Sequence, residues 1–371
     1  MLRDIQRMSI DELNATDVAR DVCELPQARG PVTESLFKAL VRSPGSMSDA
    51  VADQLFVDCP IFGEDTPLAL YSLYELHYRG FLNVAEGWEW DPNCLELRRN
   101  LERTFIRQLR HEVTAIYGSS TVAPDDVVQE LRELMTGAGP SLSTFMSVDG
   151  TRQHMREFGI HRSPYQGKEA DPHTWAIPRL KGQSKAALVL IQFGEYGDGR
   201  TSKMHSELFS DALEAMGLER RCGAHLDAVP GASLSAVNLV SLFGLHRRWR
   251  GALIGHLALF EMCAVDLMSD QVDAMRRLGM DGAIPFYEAH VASDVAHERI
   301  ALNEMVGGLL EDEPGLSDDV MFGARALDLI ERRFAERLLS AWSVGESSLR
   351  RGEQGSPRDY HATAMTPMFF A

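Results

Sequence analysis

The sequence predicts an all-α protein, a bundle of long helices joined by short connections. Apolar residues recur at the spacing of a helix with one buried face along most of the 371 residues. Proline stands in the first turn of several of these segments, where its missing N–H group costs no hydrogen bond. The connections between segments are short, and several helices are apolar enough to be buried, as in packed helical bundles.

The first part of the chain becomes more regular along its length. Weak helical periodicity, broken by four prolines, predicts two short helices in the first 60 residues, near 34–42 and 49–57. Three stronger amphipathic segments follow, each with a proline close to its start, at 66–81, 91–116 and 123–135. We expect residues 1–140 to form an N-terminal helical region.

A second region is predicted at residues 141–344, with a polar tail at 345–371 that is loosely ordered or wraps the surface. The apolar run at 184–193 is too short for periodicity to separate a strand from a helix. We predict a helix there because its neighbours are helical. The predicted helices are 141–162, 184–193, 201–216, 233–245, 249–268, 269–278, 285–304 and 317–342.

Charge and composition exclude several classes of partner. The net charge of −17 disfavours a nucleic-acid or anionic-membrane surface, because both require clustered Lys and Arg. The N-terminus has charges throughout and no apolar core, so it does not resemble a signal peptide. The most apolar run, 251–268, contains His256, Glu261 and Asp266, which would be too costly in lipid. We expect it to be a buried helix of a soluble protein.

The five cysteines are far apart in the sequence and form no CxxC pair. That spacing argues against a disulfide framework and against a zinc ribbon. We therefore expect the chain to be located in a reducing cytoplasm.

The segment 285–304 carries the strongest indication of a metal site. His290, Asp294 and His297 are spaced i, i+4 and i+7, so their side chains fall within roughly 60° of arc on one helix. Two imidazoles and a carboxylate on one stripe are suitable ligands for a transition metal. The alternative is a polar or pH-sensitive helix face.

Glu195 and His205 are further candidate ligands. Glu195 follows a buried apolar run, and His205 lies ten residues later. In a straight helix the two would be about 15 Å apart along the axis and could not share a site. Gly194, Gly197 and Gly199 could break the helix and shorten that distance. Otherwise Glu195 ends a helix and His205 is a surface residue.

Glu261 lies in the middle of the most apolar helix, where a carboxylate must be paired, protonated or bound to metal. Glu169, in the cluster EADPH, is an additional candidate ligand, although capping or turn hydrogen bonds also explain that cluster. We assign structural roles to Glu75, His77 and His256. Four arginines could recognise a substrate carboxylate, and nothing in the sequence selects among them: Arg152, Arg156, Arg179 and Arg200.

In chain order the candidates are Glu, His, Glu and then His-x3-Asp-x2-His. This order, with the stretches KEADPHTWAIPRL, GEYGDGRTSKMHSELF and HVASDVAHE, resembles the haem-oxygenase-like di-iron oxidases, a family of iron-containing redox enzymes. The resemblance covers about residues 150–310, and LYELHYRGF and WEWDP extend it more weakly towards the N-terminus. It implies a haem-oxygenase-like helical bundle with additional N-terminal helices. The implied metal ligands are Glu195, His205, Glu261, His290, Asp294 and His297, with Glu169 as a further candidate.

The resemblance also implies a function. Two Fe(II) ions would take the place of haem, and O2 would be the co-substrate. The expected substrate is a small amine, amino acid or related metabolite of specialised metabolism, altered by N-oxygenation or oxidative C–C cleavage with an unidentified electron donor. The fold alone does not determine the reaction. A homodimer formed through the N-terminal helices is expected.

Three alternatives remain at this stage. One is a metal-free, thiamin-salvage-type hydrolase on the same fold, which needs a nucleophile such as Cys222 or Cys263. The others are a haem enzyme and a helical scaffold without catalysis. The absence of any ExxH pair argues against a ferritin-like carboxylate bundle.

Overall fold

The computed structural model describes residues 22–47, 58–135 and 141–350, except for the side chains of residues 294 and 295. The described residues are 75% helical. Those three ranges contain no β-strand, only an isolated bridge between Cys23 and Phe81. The all-α prediction is confirmed. The predicted helix at 49–57 and the tail after residue 350 lie outside the described residues.

The N-terminal helices begin close to their predicted positions. They are α1 Pro31–Leu40, α2 Asp65–Glu75, α3 Pro92–Tyr117 and α4 Val127–Met135. Proline opens α1 and α3, and the side chain of Asp91 caps α3 by accepting hydrogen bonds from the backbone N–H groups of Asn93 and Cys94. Helix α2 stops at Glu75, short of the predicted end at residue 81.

The second region contains the longest helices. Its elements are α5 Leu142–Val148, α6 Arg152–Gln166, α7 Asp171–Thr174, α8 Gly182–Glu195, α9 His205–Ala215, α10 Gly231–Leu245, α11 Arg250–Leu278, α12 Ile284–Arg299, α13 Gly307–Asp312 and α14 Ser317–Ser343. A π-helical segment, Ile300–Val306, joins α12 to α13. The apolar run at 184–193 is helical, as predicted.

Two predicted boundaries were wrong. The single helix expected at 141–162 is α5 followed by α6, with a break at Gly150, where a Cβ atom would lie only 2.5 Å from the carbonyl oxygen of Met146. The helices expected at 249–268 and 269–278 are one continuous helix, α11. It ends at Gly279, whose left-handed φ of 61° allows the chain to turn.

Helix α11 lies at the centre of the fold, between α12 and α14. It approaches α14 closely because both helices carry glycine at the crossing: a Cβ atom on Gly255 would lie 1.9 Å from the carbonyl oxygen of Val320, and one on Gly323 equally close to that of Ala252. By length and composition the segment Arg247–Leu278 could cross a membrane, but 72% of its most apolar window is buried within the fold. It is the buried core helix that was predicted.

One cysteine prediction needs correction. The structure joins Cys23 to Cys222 in a disulfide, with their Cα atoms 5.2 Å apart. The sequence could not indicate this pair, because 199 positions separate the two residues. The predicted boundary near residue 140 stays a prediction, although one apolar cluster includes residues from both sides of it, such as Leu36 and Ile254.

Candidate metal centre

Buried carboxylates and imidazoles meet in two adjoining groups between α8, α9, α11 and α12. Within each group the candidate ligand atoms all lie within 4.8 Å of one another. The first group is Glu169, Glu195, His205 and His290, and the second is Glu195, Glu261 and His297. Each of these side chains belongs to a residue that is at most 7% exposed.

Glu195 belongs to both groups because its two carboxylate oxygens face different histidines. Its Oε2 atom lies 2.7 Å from Nδ1 of His205, and its Oε1 atom lies 3.5 Å from Nδ1 of His297. A carboxylate that presents one oxygen to each of two ligand groups has the arrangement needed to bridge two metal ions.

The break after α8 brings Glu195 and His205 together. Helix α8 ends at Glu195, two turns of 3-10 helix follow, and α9 begins at His205. Gly197 adopts a left-handed φ of 67°, and a Cβ atom there would lie 2.5 Å from the backbone carbon of Lys203. Only glycine at this position therefore permits the short connection that brings Glu195 and His205 together.

Helix α12 directs two imidazoles at these carboxylates. Nδ1 of His290 donates a hydrogen bond to the carbonyl oxygen of Phe286 (2.9 Å), which leaves Nε2 facing Oε1 of Glu169 at 3.3 Å. Such a backbone hydrogen bond fixes the tautomer and ring orientation of a metal-binding histidine. The ring of His205 lies beside that of His290, with their centroids 4.1 Å apart.

The remaining ligands come from α11 and α12. Oε2 of Glu261 lies 3.3 Å from Nδ1 of His297. Asp294 occupies α12 between the two histidines, one turn after His290. Its side chain lies outside the described part of the structure, so its role as a ligand stays a prediction.

The electrostatics of the groups favour a bound cation. Burial raises the pKa of the Glu195 carboxyl, but the hydrogen bond from His205 and the charges of the nearby imidazoles outweigh burial, so the pKa is lowered overall. Glu195 is therefore an ionised ligand at neutral pH. Glu195 lies near a second buried carboxylate in each group, Glu169 in one and Glu261 in the other, and such pairs require positive charge, which a metal ion supplies most simply. The donor set of carboxylates and imidazoles fits iron.

Two neighbours of Glu169 support this arrangement. With its amide nitrogen turned towards the carboxylate, Gln166 donates hydrogen bonds to both oxygens of Glu169, at 2.6 and 2.9 Å. Burial, followed by the charges of Glu169, Glu331 and Glu261, raises the pKa of Tyr165 well above its ordinary value. Tyr165 therefore remains a protonated phenol close to the carboxylates.

The comparison with known families agrees with this geometry. Residues 156–331 match the family model described as iron-containing redox enzyme. This part of the chain is therefore similar to that haem-oxygenase-like family. The matched range includes every candidate ligand, among them the first, Glu169, and the last, His297. No curated protein matches the chain.

The other candidate residues have structural settings. Three of the candidate arginines donate hydrogen bonds to backbone carbonyls at or just after helix ends: Arg152 to Gly279, Arg156 to Met216, and Arg179 to Gly244 and Leu245. The fourth, Arg200, is exposed. His256 is buried, as predicted, and its Nδ1 atom lies 3.3 Å from Nε2 of His173.

Neither candidate nucleophile for a metal-free hydrolase is available as a thiolate. Cys222 is bonded to Cys23. Burial is the main factor that raises the pKa of Cys263 to about 12. A thiol with that pKa is protonated at neutral pH and is a poor nucleophile.

A cavity beside the centre contains residues that the sequence analysis did not identify. Glu75 was expected to be structural, but it lines this cavity with Lys168, Tyr71 and Tyr78. The spacing of Tyr71, Glu75 and Tyr78, i, i+4 and i+7, places them on one helical face and was the available signal. Lys168 immediately precedes Glu169, but nothing in its spacing indicated that it faces α2.

Proposed function

We propose that this chain is a non-haem oxygenase or oxidase that holds two Fe(II) ions and uses O2 to oxidise a small amine, amino acid or related metabolite. The observation that carries the proposal is the position of Glu195, with one oxygen towards His205 and the other towards His297. One iron would be held by Glu169, Glu195, His205 and His290, and the other by Glu195, Glu261 and His297, with Asp294 as an added ligand.

The protein's own contribution would be binding, orientation and exclusion of water. The ligand residues are buried, so bulk water has little access to the iron positions. Bound iron would supply one-electron and O2 chemistry that no side chain provides. Gln166 and the carbonyl of Phe286 would hold Glu169 and His290 in orientation, since such outer hydrogen bonds fix the ligands of a metal site.

Anaerobic loading with Fe(II) tests the metal part of the proposal. We expect about two tightly bound irons per chain by elemental analysis after desalting. One or no retained iron would contradict the two-iron assignment. Addition of haem in a parallel sample, monitored for a Soret band, tests the haem alternative.

Oxygen consumption tests the reaction. The Fe(II)-loaded protein should consume O2 faster in the presence of its substrate, within a panel of amines, amino acids and fatty acids. The EDTA-treated chain is the control and should show no such increase. Activity that survives EDTA would favour a metal-free enzyme instead.

A further inference from the structure

A cavity of about 750 Å³ is lined by residues next to two candidate ligands in the sequence, and none of the ligands that the structure describes line it themselves. Its wall includes Ser206 and Phe209, one and four residues after His205, and Lys168, which immediately precedes Glu169. Phe209 packs edge-to-face on Phe286, at 5.1 Å between ring centroids, and Phe286 packs in the same way on His290 at 4.6 Å. This volume is in the range of small-molecule sites.

A buried ion pair lies in the wall of this cavity. The ammonium group of Lys168 contacts Oε2 of Glu75, and their side chains are only 7% and 0% exposed. The ammonium also lies over the rings of Tyr71 and Tyr78, at 4.8 and 4.4 Å from their centroids. Each ring face attracts the cation and keeps water from it.

This pair is neutral as a unit, and that restricts what can bind beside it. The other charged residues of the wall also balance, since three are cations and three are carboxylates: Arg79, Arg220, Arg221, Glu207, Glu214 and Glu219. A lone anion would meet Lys168 but be repelled by Glu75, and a lone amine would meet the opposite problem. Either would also add net charge to a buried site, which is costly. A zwitterion adds no net charge and can place each of its charges next to the opposite one.

We propose that Lys168 and Glu75 form a zwitterion clamp: Lys168 binds the carboxylate of an amino acid, and Glu75 binds its ammonium group. Tyr71 and Tyr78 form the aromatic walls beside the clamp. The substrate side chain would occupy the rest of the cavity towards Phe209. This inference rests on the proposed function, because it makes the cavity the substrate site of the neighbouring metal centre.

Equilibrium binding tests the clamp without requiring turnover. The probes are two sets, each an amino acid with the amine that lacks its carboxylate and the acid that lacks its α-ammonium group. They are leucine, isoamylamine and isocaproate; and phenylalanine, phenethylamine and hydrocinnamate. Calorimetry is run on the full chain, both iron-free and loaded anaerobically with Fe(II).

In the wild type, at least one amino acid should bind about 30-fold more tightly than either truncated analogue, since each analogue offers an opposite charge to only one member of the clamp and adds net charge beside it. In Lys168→Met the amino acid and its amine should bind within about threefold of each other. In Glu75→Gln the same should hold for the amino acid and its acid. The exposed pair Glu34 and Lys38, 3.6 Å apart, supplies the control variants Glu34→Gln and Lys38→Met, which should keep wild-type selectivity.

Removing one charge of a buried ion pair can unfold a protein. The double variant Lys168→Met/Glu75→Gln removes both charges and therefore provides a second test of the clamp. It should bind all three members of a set within about threefold. Equal binding of the three by wild type, or no amino acid with a Kd below about 1 mM, overturns the clamp. If iron fails to bind but the selectivity is observed, the proposed reaction fails and the clamp stands.

Discussion

Two buried clusters in this protein contain histidine and glutamate, but they are built differently. The first is the candidate metal centre, where ligand atoms of Glu195, Glu261 and His297 converge within 4.8 Å. The second joins Glu157 and His161 of α6 to the end of the described chain. Oε2 of Glu157 accepts hydrogen bonds from Nε1 of Trp342 (2.8 Å), and from both the backbone N–H (2.9 Å) and the hydroxyl (2.7 Å) of Ser348.

The second cluster is complementary within itself. The hydroxyl of Ser348 donates to Glu157 and accepts from Nε2 of His161 (2.9 Å), and Nδ1 of His161 accepts from the hydroxyl of Ser233 (2.8 Å). Donors there face acceptors. In the candidate metal centre, carboxylates of two separate helices, Glu195 and Glu261, face the same imidazole nitrogen of His297. The difference teaches that burial of His and Glu is not by itself a sign of metal binding, whereas convergence of acceptors is.

The largest expected effect is loss of iron from Glu195→Ala. This substitution removes the carboxylate that both ligand groups share, so we expect iron affinity to fall by more than about 100-fold, beyond the loss typical of an outer-shell residue. Elemental analysis after anaerobic Fe(II) loading measures it. The iron-free variant should be less stable than iron-free wild type, because the lowered pKa of Glu195 means that its carboxylate, held by His205 and the nearby imidazoles, stabilises the fold at neutral pH. Circular dichroism at the loading temperature checks that the variant is folded when its iron content is measured.

Glu157→Gln is the matched control for this prediction. It also changes a buried glutamate, but in the self-complementary cluster, and should retain wild-type iron content. If Glu157→Gln lost iron as completely as Glu195→Ala, the distinction between the two clusters would be wrong.

The next largest effect is the loss of stability in Glu157→Ala. Removing this carboxylate leaves the indole N–H of Trp342 and the backbone N–H of Ser348 buried without their acceptor, which we expect to cost about 3 kcal/mol in free energy of unfolding. Urea denaturation of the iron-free chain measures it. The exposed substitution Glu34→Ala should change the same quantity by less than about 0.5 kcal/mol, and a similar loss in both would remove the structural role of Glu157.

The same cluster predicts a pH dependence. Burial is the main factor that lowers the pKa of His161 to about 3, despite the opposing charge of Glu157 and together with the charges of Arg337 and Arg162. The unfolded chain binds this proton near pH 6.5, so stability is fully present above that pH and falls as the pH drops towards 3. From pH 7.5 to pH 5 the contribution should fall by about 2 kcal/mol.

His161→Gln isolates this contribution, since glutamine keeps a donor and an acceptor but has no titrating group. The stability of the variant should depend less on pH between 7.5 and 5 than that of wild type, by the same 2 kcal/mol or so. Parallel curves for the two proteins would exclude His161 as the source.

Much of the candidate metal centre could be predicted from the sequence because its candidate ligands lie on regular or apolar segments. His290 and His297 share one helix face, and Glu261 interrupts an apolar helix. The sequence could predict the contact of Glu195 with His205 only if the intervening glycines break the helix. The path of a glycine-rich turn depends on φ values that composition does not determine. The family resemblance supplied the order of ligands, which the spacing alone did not.

Contacts between distant segments could not be predicted. The Lys168–Glu75 pair and the cluster of Glu157 with Ser348 join residues 93 and 191 positions apart, with no periodic pattern linking them. The positions of helices could be predicted from the sequence more accurately than the residues at which they end. The break at Gly150 and the continuity of α11 depend on close backbone approach and tertiary packing rather than on local propensity.

The smallest expected effect comes from moving a candidate ligand rather than removing it. Gly194 lies in α8, and a Cβ atom there would lie 2.9 Å from Nε2 of His297. In Gly194→Ala the imidazole of His297 must move away from the added methyl group, because a side-chain ring moves more easily than the helix backbone. Its Nδ1 atom would then shift relative to Glu195 and Glu261, so we expect about a 10-fold loss of iron affinity, comparable to a disturbed outer-shell contact. Alanine stabilises a helix interior by up to about 1 kcal/mol relative to glycine, so the iron-free variant should not be much less stable.

Gly307→Ala is the control, since its nearest atom, the carbonyl oxygen of Leu302, would be 3.8 Å away. Equal iron affinity in wild type and Gly194→Ala would mean that His297 binds no metal in the orientation seen here, and that the second ligand group depends on Glu195 and Glu261 alone.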